Sequence, residues 1–215
     1  MRKIIDLTLT LKDSMRGVSV EPKMTMAADG WNASTYHLYS HAGTHMDAPT
    51  HYDVNDTSID RIPLERCIGE AWIVDCGSVR AKELLTPGHL GDSAAKISSG
   101  DFVLIRTGWS RNANEPCYRD ELPRVGAELA EWFAERRISL LGVEPPAVAD
   151  VHNFDEIQSI HNILLEADII IVEGLANLDK ITSDRVEFMA LPLKVAGGDG
   201  APVRAIAIED SNENP

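Results

Sequence analysis

Positive charge is in short supply: 20 lysines and arginines face 34 aspartates and glutamates, a net charge of −14. No basic cluster offsets it, which argues against nucleic acid or an anionic membrane surface as partner. Cysteine is sparse too. Cys67, Cys76 and Cys117 are odd in number and lack CxxC spacing, so neither a disulfide framework nor a thiolate metal site is expected, and a cytoplasmic location is. No run is long and apolar enough to span a bilayer, and Asp6 and Lys12 interrupt the opening apolar residues before a signal-peptide core is built. Internal repeats and low-complexity tracts are absent.

What is present is 215 residues at 44% hydrophobic content, enough for one domain over 1–215 with a sizeable core. Alternating Ile, Leu and Thr over 3–11 predict a first strand, closed by a turn at Lys12-Asp13-Ser14. From Met15 to Trp31 the pattern is irregular, punctuated by Gly17, Pro22 and Gly30. The region of about 12–33 is therefore expected to be an N-terminal arm, either a substrate lid or an oligomer contact. Further strands are predicted over 34–41, 71–76, 102–107, 138–143, 169–172, 186–193 and 203–208. Helices are predicted after Thr86-Pro87, over 124–137 and over 155–167. This alternation makes a mixed α/β architecture. Gly197-Gly198-Asp199-Gly200 reads as a tight turn between strands and not as a phosphate cradle, since no helix with Lys-Thr follows it.

Histidine, by contrast, is concentrated. Four of the seven histidines lie between His37 and His51, and His41-Ala-Gly-Thr-His-Met-Asp-Ala-Pro-Thr-His51 sets three imidazoles and a carboxylate within eleven residues. Neutral imidazole and carboxylate suit zinc or manganese. Gly43 and Pro49 argue against a helix here, so a turning loop is expected. In an extended segment His45 and Asp47 share one side, and a bend at Gly43 folds His41 back towards them. Thr44 and Thr50 offer hydroxyls to orient the imidazoles or the carboxylate. On the helix over 155–167, His161 lies on the apolar stripe with Ile157, Ile160 and Leu164, where a lone histidine is more often a core residue than a ligand. Glu173 follows the apolar run 169–172, at the carboxyl end of a strand where α/β proteins commonly place functional groups. Either residue could complete a second metal position with Asp47 as a bridge. Arg16 and Arg204 are candidates for holding a substrate carboxylate. A lyase or isomerase that stabilises an enolate could use the same ligands, and so could a non-catalytic metal-binding module, although structural zinc sites are usually closed and frequently rich in thiolate.

The same eleven residues resemble the HxGTHxDxPxH signature of the cyclase-family metal-dependent hydrolases, which include bacterial kynurenine formamidase and isatin hydrolase. Later segments agree in order: Leu141-Gly-Val-Glu144, His161-Asn-Ile-Leu-Leu, Val172-Glu-Gly-Leu-Ala-Asn177-Leu and Gly198-Asp-Gly-Ala-Pro-Val-Arg204-Ala. The resemblance covers nearly the full chain. It implies a swivelling β/β/α fold with a mixed sheet, and hydrolysis of a formamide, a cyclic amide or a related ester of a small organic substrate. It also implies a homodimer or homotetramer and a divalent metal held by His41, His45 and Asp47. Formamidase-like members place a second zinc on Asp47, His161 and Glu173, whereas isatin hydrolase-like members work with one manganese. The last histidine of the signature, here His51, is implied as the general acid/base, a role that an imidazole of near-neutral pKa suits. Two departures bear on the substrate. Glu144 and Ala147 stand where formamidases commonly carry the Asp and Ser of a Gly-x-Asp-x-x-Ser stretch, and Met15-Arg-Gly-Val-Ser-Val-Glu21 replaces an early Trp-Pro-Gly-Asp-like segment.

Overall fold

The computed structural model describes residues 2–77 and 79–210. In chain order, β1 (Arg2–Asp6) leads to a ribbon of β2 (Val18–Met24) and β3 (Ala33–Leu38) around the short helix α1 (Met26–Asp29). Next come β4 (His45–Asp47), β5 (Ile68–Asp75), β6 (Leu84–Leu85), β7 (Phe102–Arg106) and helix α2 (Cys117–Asp120). β8 (Arg124–Val125), α3 (Ala127–Arg136), β9 (Leu140–Val143), α4 (Phe154–Glu166), β10 (Ile170–Glu173), β11 (Arg185–Pro192) and β12 (Gly200–Asp210) follow.

The main sheet has eight strands in the order β1-β12-β11-β5-β7-β9-β10-β4. β12 pairs with β11 over 203–208, with β1 over 206–210 and with β4 over 200–202. Because β4 also pairs with β10, the sheet closes on itself as a barrel. β5, β7, β9 and β10 are mutually parallel neighbours, and such strands are covered on both faces. Their sequences show it: Phe102, Leu104, Leu140 and Val172 join the interior cluster, while Val103, Ile105, Leu141 and Ile171 join a second cluster under α3 and α4. Among the described residues, no helix is long and apolar enough to cross a membrane.

Two expectations are corrected. The arm is not irregular: β2 and β3 form an antiparallel ribbon, with Val18 opposite Leu38 and Val20 opposite Tyr36. A register shift between Pro22 and Met24 breaks the period of two, which is why the alternation was hidden. The helix expected from Arg124 starts at Ala127, because Arg124 and Val125 pair in parallel with Leu84 and Leu85 before the chain turns at Gly126. The short helix expected after Thr86-Pro87 is present as a 3-10 segment, Pro87–Ala95, which starts from a capping box at Thr86 and is broken at Gly91, φ +51°.

The end of β12 carries a buried carboxylate with a stabilising role. Glu209 accepts hydrogen bonds from the Thr182 N–H and hydroxyl, both at 2.7 Å, from the Ser183 N–H at 2.6 Å, and from Lys3 Nζ at 3.1 Å. Burial by itself raises its pKa, but these donors outweigh burial and bring it from the usual 4.5 to about 2. A depressed carboxylate stabilises the fold above its unfolded pKa and loses that contribution as pH falls through the folded value. Glu209→Ala is therefore expected to cost roughly 1.5–3 kcal/mol in urea unfolding at pH 7. The difference from the parent should shrink as pH falls from 4.5 towards 2; a difference independent of pH would contradict the assignment.

Candidate metal centre

β4 is three residues long yet paired on both sides. His45 lies opposite Glu173 of β10 and Pro202 of β12, and Asp47 lies opposite Ile171 and Gly200. Side chains alternate along a strand, so Met46 and Val172 enter the barrel while His45, Asp47 and Glu173 emerge together on its outer face. α4 covers that face. Its buried side chains Ile160, His161 and Leu164 form one stripe, which brings His161 onto the two carboxylates. Gly43, at φ +66°, supplies the bend that returns His41 to the cluster, with His41 Nδ1 2.9 Å from Asp47 Oδ1. The His41 ring then lies against Gly200, where a Cβ would come within 2.8 Å of His41 Cε1.

Two imidazoles are presented in the same way. His45 Nδ1 donates to the Gly43 carbonyl at 3.0 Å, and His161 Nδ1 donates to the Ile157 carbonyl at 2.6 Å. A carbonyl only accepts, so Nε2 of each ring is the atom left facing the carboxylates. His45 Nε2 is 3.6 Å from Asp47 Oδ1 and 3.1 Å from Glu173 Oε2, while His161 Nε2 is 3.5 Å from Asp47 Oδ2 and 3.6 Å from Glu173 Oε1. Backbone-anchored imidazole is the usual posture of a metal-ligating histidine. His45 Nε2 and Asp47 Oδ2 are buried without a partner in hydrogen-bond geometry, a cost that a cation between them would remove. Separations of 3.1–3.6 Å match ligand atoms held ~2.0 Å from a tetrahedral ion. The donor set therefore fits a divalent metal.

The electrostatics agree. Burial lowers the pKa of His41 and His161, but the carboxylates beside them outweigh it: Asp47 and Asp199 push His41 up to about 9, and Asp47 and Glu173 push His161 up to about 10. Burial likewise raises Asp47 and Glu173, yet the imidazoles hold Asp47 well below, and Glu173 below, the usual carboxylate range. Carboxylates that keep protons on their neighbours also make the potential into which a divalent cation is drawn, and taking one up would release those protons.

The Cyclase family profile matches residues 5–150, a span containing the whole stretch from His41 to His51. The chain belongs to the cyclase family. The kynurenine formamidase of Bordetella petrii is 33% identical over 181 residues, 83% of this chain and 81% of that one. Isatin hydrolase A from Labrenzia aggregata bound to benzyl benzoate superposes with a TM-score of 0.87 at 26% identity, covering 96% of this chain and 93% of that one. A potential metal-dependent hydrolase with cyclase activity gives a TM-score of 0.79 at 26% identity, over 97% and 98% of the two chains.

In this cyclase-family chain all six residues singled out from the sequence converge. Ligand atoms of His41, His45 and Asp47 lie within 4.8 Å of one another, as do those of Asp47, His51 and His161. Glu173 joins through the contacts to His45 and His161 given above. One residue escaped sequence reasoning: Asp199, in the glycine-rich turn read as a plain loop, puts Oδ2 2.9 Å from His41 Nε2 and 3.6 Å from His51 Nδ1. Its only local signal was a carboxylate in a tight turn. Two other expectations are corrected. The Thr44 hydroxyl donates to the Gly174 carbonyl at 2.6 Å and that of Thr50 to the Gly198 carbonyl at 3.4 Å, so both pin backbone and neither orients an imidazole. Arg204 is turned away, exposed and held by Asp6 at 2.7 and 3.0 Å. His37, the remaining histidine of the cluster, is exposed beside Glu21.

Proposed function

We infer that this chain hydrolyses a C–N amide bond, in a formamide or a cyclic amide, or a related ester bond, of a small organic substrate with a divalent metal. The observation that carries the reading is the paired Nε2 presentation of His45 and His161 towards Asp47 and Glu173, with two buried polar atoms left unpartnered. Relatives named as kynurenine formamidase and a neighbour named as isatin hydrolase support the same bond type. In this reading His41, His45 and Asp47 hold one ion, and Asp47, His161 and Glu173 hold a second where two bind. Zinc and manganese both suit the donor set. When bound, such an ion polarises a carbonyl and acidifies a water.

His51 moves the proton. Burial, with the charges of His41 and His161, holds its pKa below the usual 6.5, so the ring is neutral at pH 7. Its centroid is 4.0 Å from that of His41 and its side chain is 24% exposed, enough for a substrate to reach. A neutral imidazole there accepts a proton from water and returns it to the departing nitrogen. Tyr52 stacks on His161 at 4.5 Å and meets His51 edge-on at 4.5 Å, contacts that orient both rings.

The test is a metal-stripped preparation assayed on formamides, cyclic imides and lactones. Turnover is expected to vanish with chelation and to return with zinc or manganese, and one atom of solvent oxygen should appear in the product acid. Full turnover without metal, or a product free of solvent oxygen, would overturn the reading.

A further inference from the structure

A cavity of about 450 Å³ has His41 and Gly43 in its wall, a volume suited to a small-molecule ligand. Its remaining lining comes from the chain between β1 and β2, from Tyr39 after β3, from α2 and the segment leading into it, and from Pro146 after β9. Leu9, Met15, Tyr39 and Tyr118 give it apolar and aromatic walls. Lys12, Arg16 and Arg119 line it as well, in a chain whose net charge is −14. Glu115 and Asp120 line it too, so the three cations outnumber the carboxylates by one.

The protein leaves the arginines largely unpaired. Lys12 Nζ donates to the neutral Asn114 side chain. Among the described residues, Arg16 has no hydrogen bond or ion pair. Arg119 has a single ion pair, at 3.7 Å to Asp120 Oδ1, and that same oxygen is held at 2.8 Å by His152 Nε2. Burial and then the charge of Arg16 press the pKa of Arg119 below its usual value, so the two guanidiniums repel each other across the space they share. Two guanidiniums on one cavity, Arg16 without a carboxylate partner and Arg119 with only the long contact to Asp120, suit a planar anion, which each can meet with a fork of N–H donors. The backbone that carries Arg119 is anchored next door. Its neighbour Tyr118 is buried, donates its hydroxyl to the Glu144 carbonyl at 2.7 Å, and accepts the Trp109 indole N–H on its own carbonyl at 2.8 Å.

We propose that Arg16 and Arg119 form a carboxylate-binding pair, which makes the substrate an amide or ester that also carries a carboxylate. The proposal rests on the hydrolase reading for the bond that is cut and on the cavity for the group that is held. The apolar walls take the body of the substrate, the arginines take its carboxylate, and His41 marks the wall shared with the metal cluster.

The test uses metal-loaded protein and two aryl formamides that differ only in a ring carboxylate. Wild-type protein is expected to favour the carboxylate-bearing compound in kcat/KM. In Arg119→Ala and in Arg16→Ala that preference should fall by about 10- to 100-fold, mostly through KM, and Arg119→Lys should recover part of it. A wild-type preference for the uncharged compound, or a preference unchanged in both alanine variants, would overturn the pair. Binding of benzoate, followed by calorimetry in the same proteins, reads the pair without turnover. Benzoate binding that weakens at least tenfold in the variants while neither formamide is cut would sink the hydrolase reading and keep the pair. Hydrolysis of both formamides with benzoate binding equal in all the proteins would do the reverse.

Discussion

His45→Ala is expected to lose its divalent ion and its turnover together. His45 is the most enclosed of the imidazoles, 1% exposed, and its Nε2 stands between Asp47 and Glu173 with Nδ1 already committed to the Gly43 carbonyl. No other side chain can swing into that position, because β4 is paired on both sides and its register admits one residue there. If a bound metal supplies several kcal/mol of transition-state stabilisation, its loss lowers the rate by about 10³-fold or more, at ~1.4 kcal/mol per decade. Elemental analysis of the purified variant beside its turnover number makes the check. Stoichiometric zinc or manganese retained in His45→Ala would remove this residue from the ligand set.

His51→Asn should separate what His45→Ala removes at once: metal content stays at the wild-type level while kcat falls by about 10²- to 10⁴-fold, the usual contribution of a positioned acid/base. The geometry makes this a real choice, since His51 also offers a ligand atom within 4.8 Å of those of Asp47 and His161, and of those of His41 and Asp199. Metal content falling in parallel with activity would make His51 a ligand and leave the proton transfer to another group. Its partial exposure and its contact with the Asp199 carboxylate favour the acid/base role. Asparagine keeps the approximate size of the ring, so the packing against Tyr52 is disturbed little.

Much of this centre could be read from local spacing, for physical reasons. A period of two along β4 puts His45 and Asp47 on one side whatever the strand later pairs with, and Gly43 is the residue that tolerates the left-handed bend returning His41. A period of 3.6 puts His161 on the buried stripe of α4. Of the ribbon, β3 was legible as the strand over 34–41, but β2 was not, because a register shift near Pro22 interrupts the only signal a strand has.

By itself, then, the sequence determined a mixed α/β chain of the cyclase family with His41, His45, Asp47, His51, His161 and Glu173 as the residues to watch. Tertiary structure decided the rest. Closure of the barrel between β4 and β12 brings Asp199 to His41 across 158 positions. It also leaves Arg204 with Asp6, while Arg16 and Arg119 line one cavity beside His41. Such encounters depend on which strand pairs with which, and at what register, over most of the chain. Local periodicity sets the face a side chain occupies, but only the closed sheet sets the neighbour it finds there.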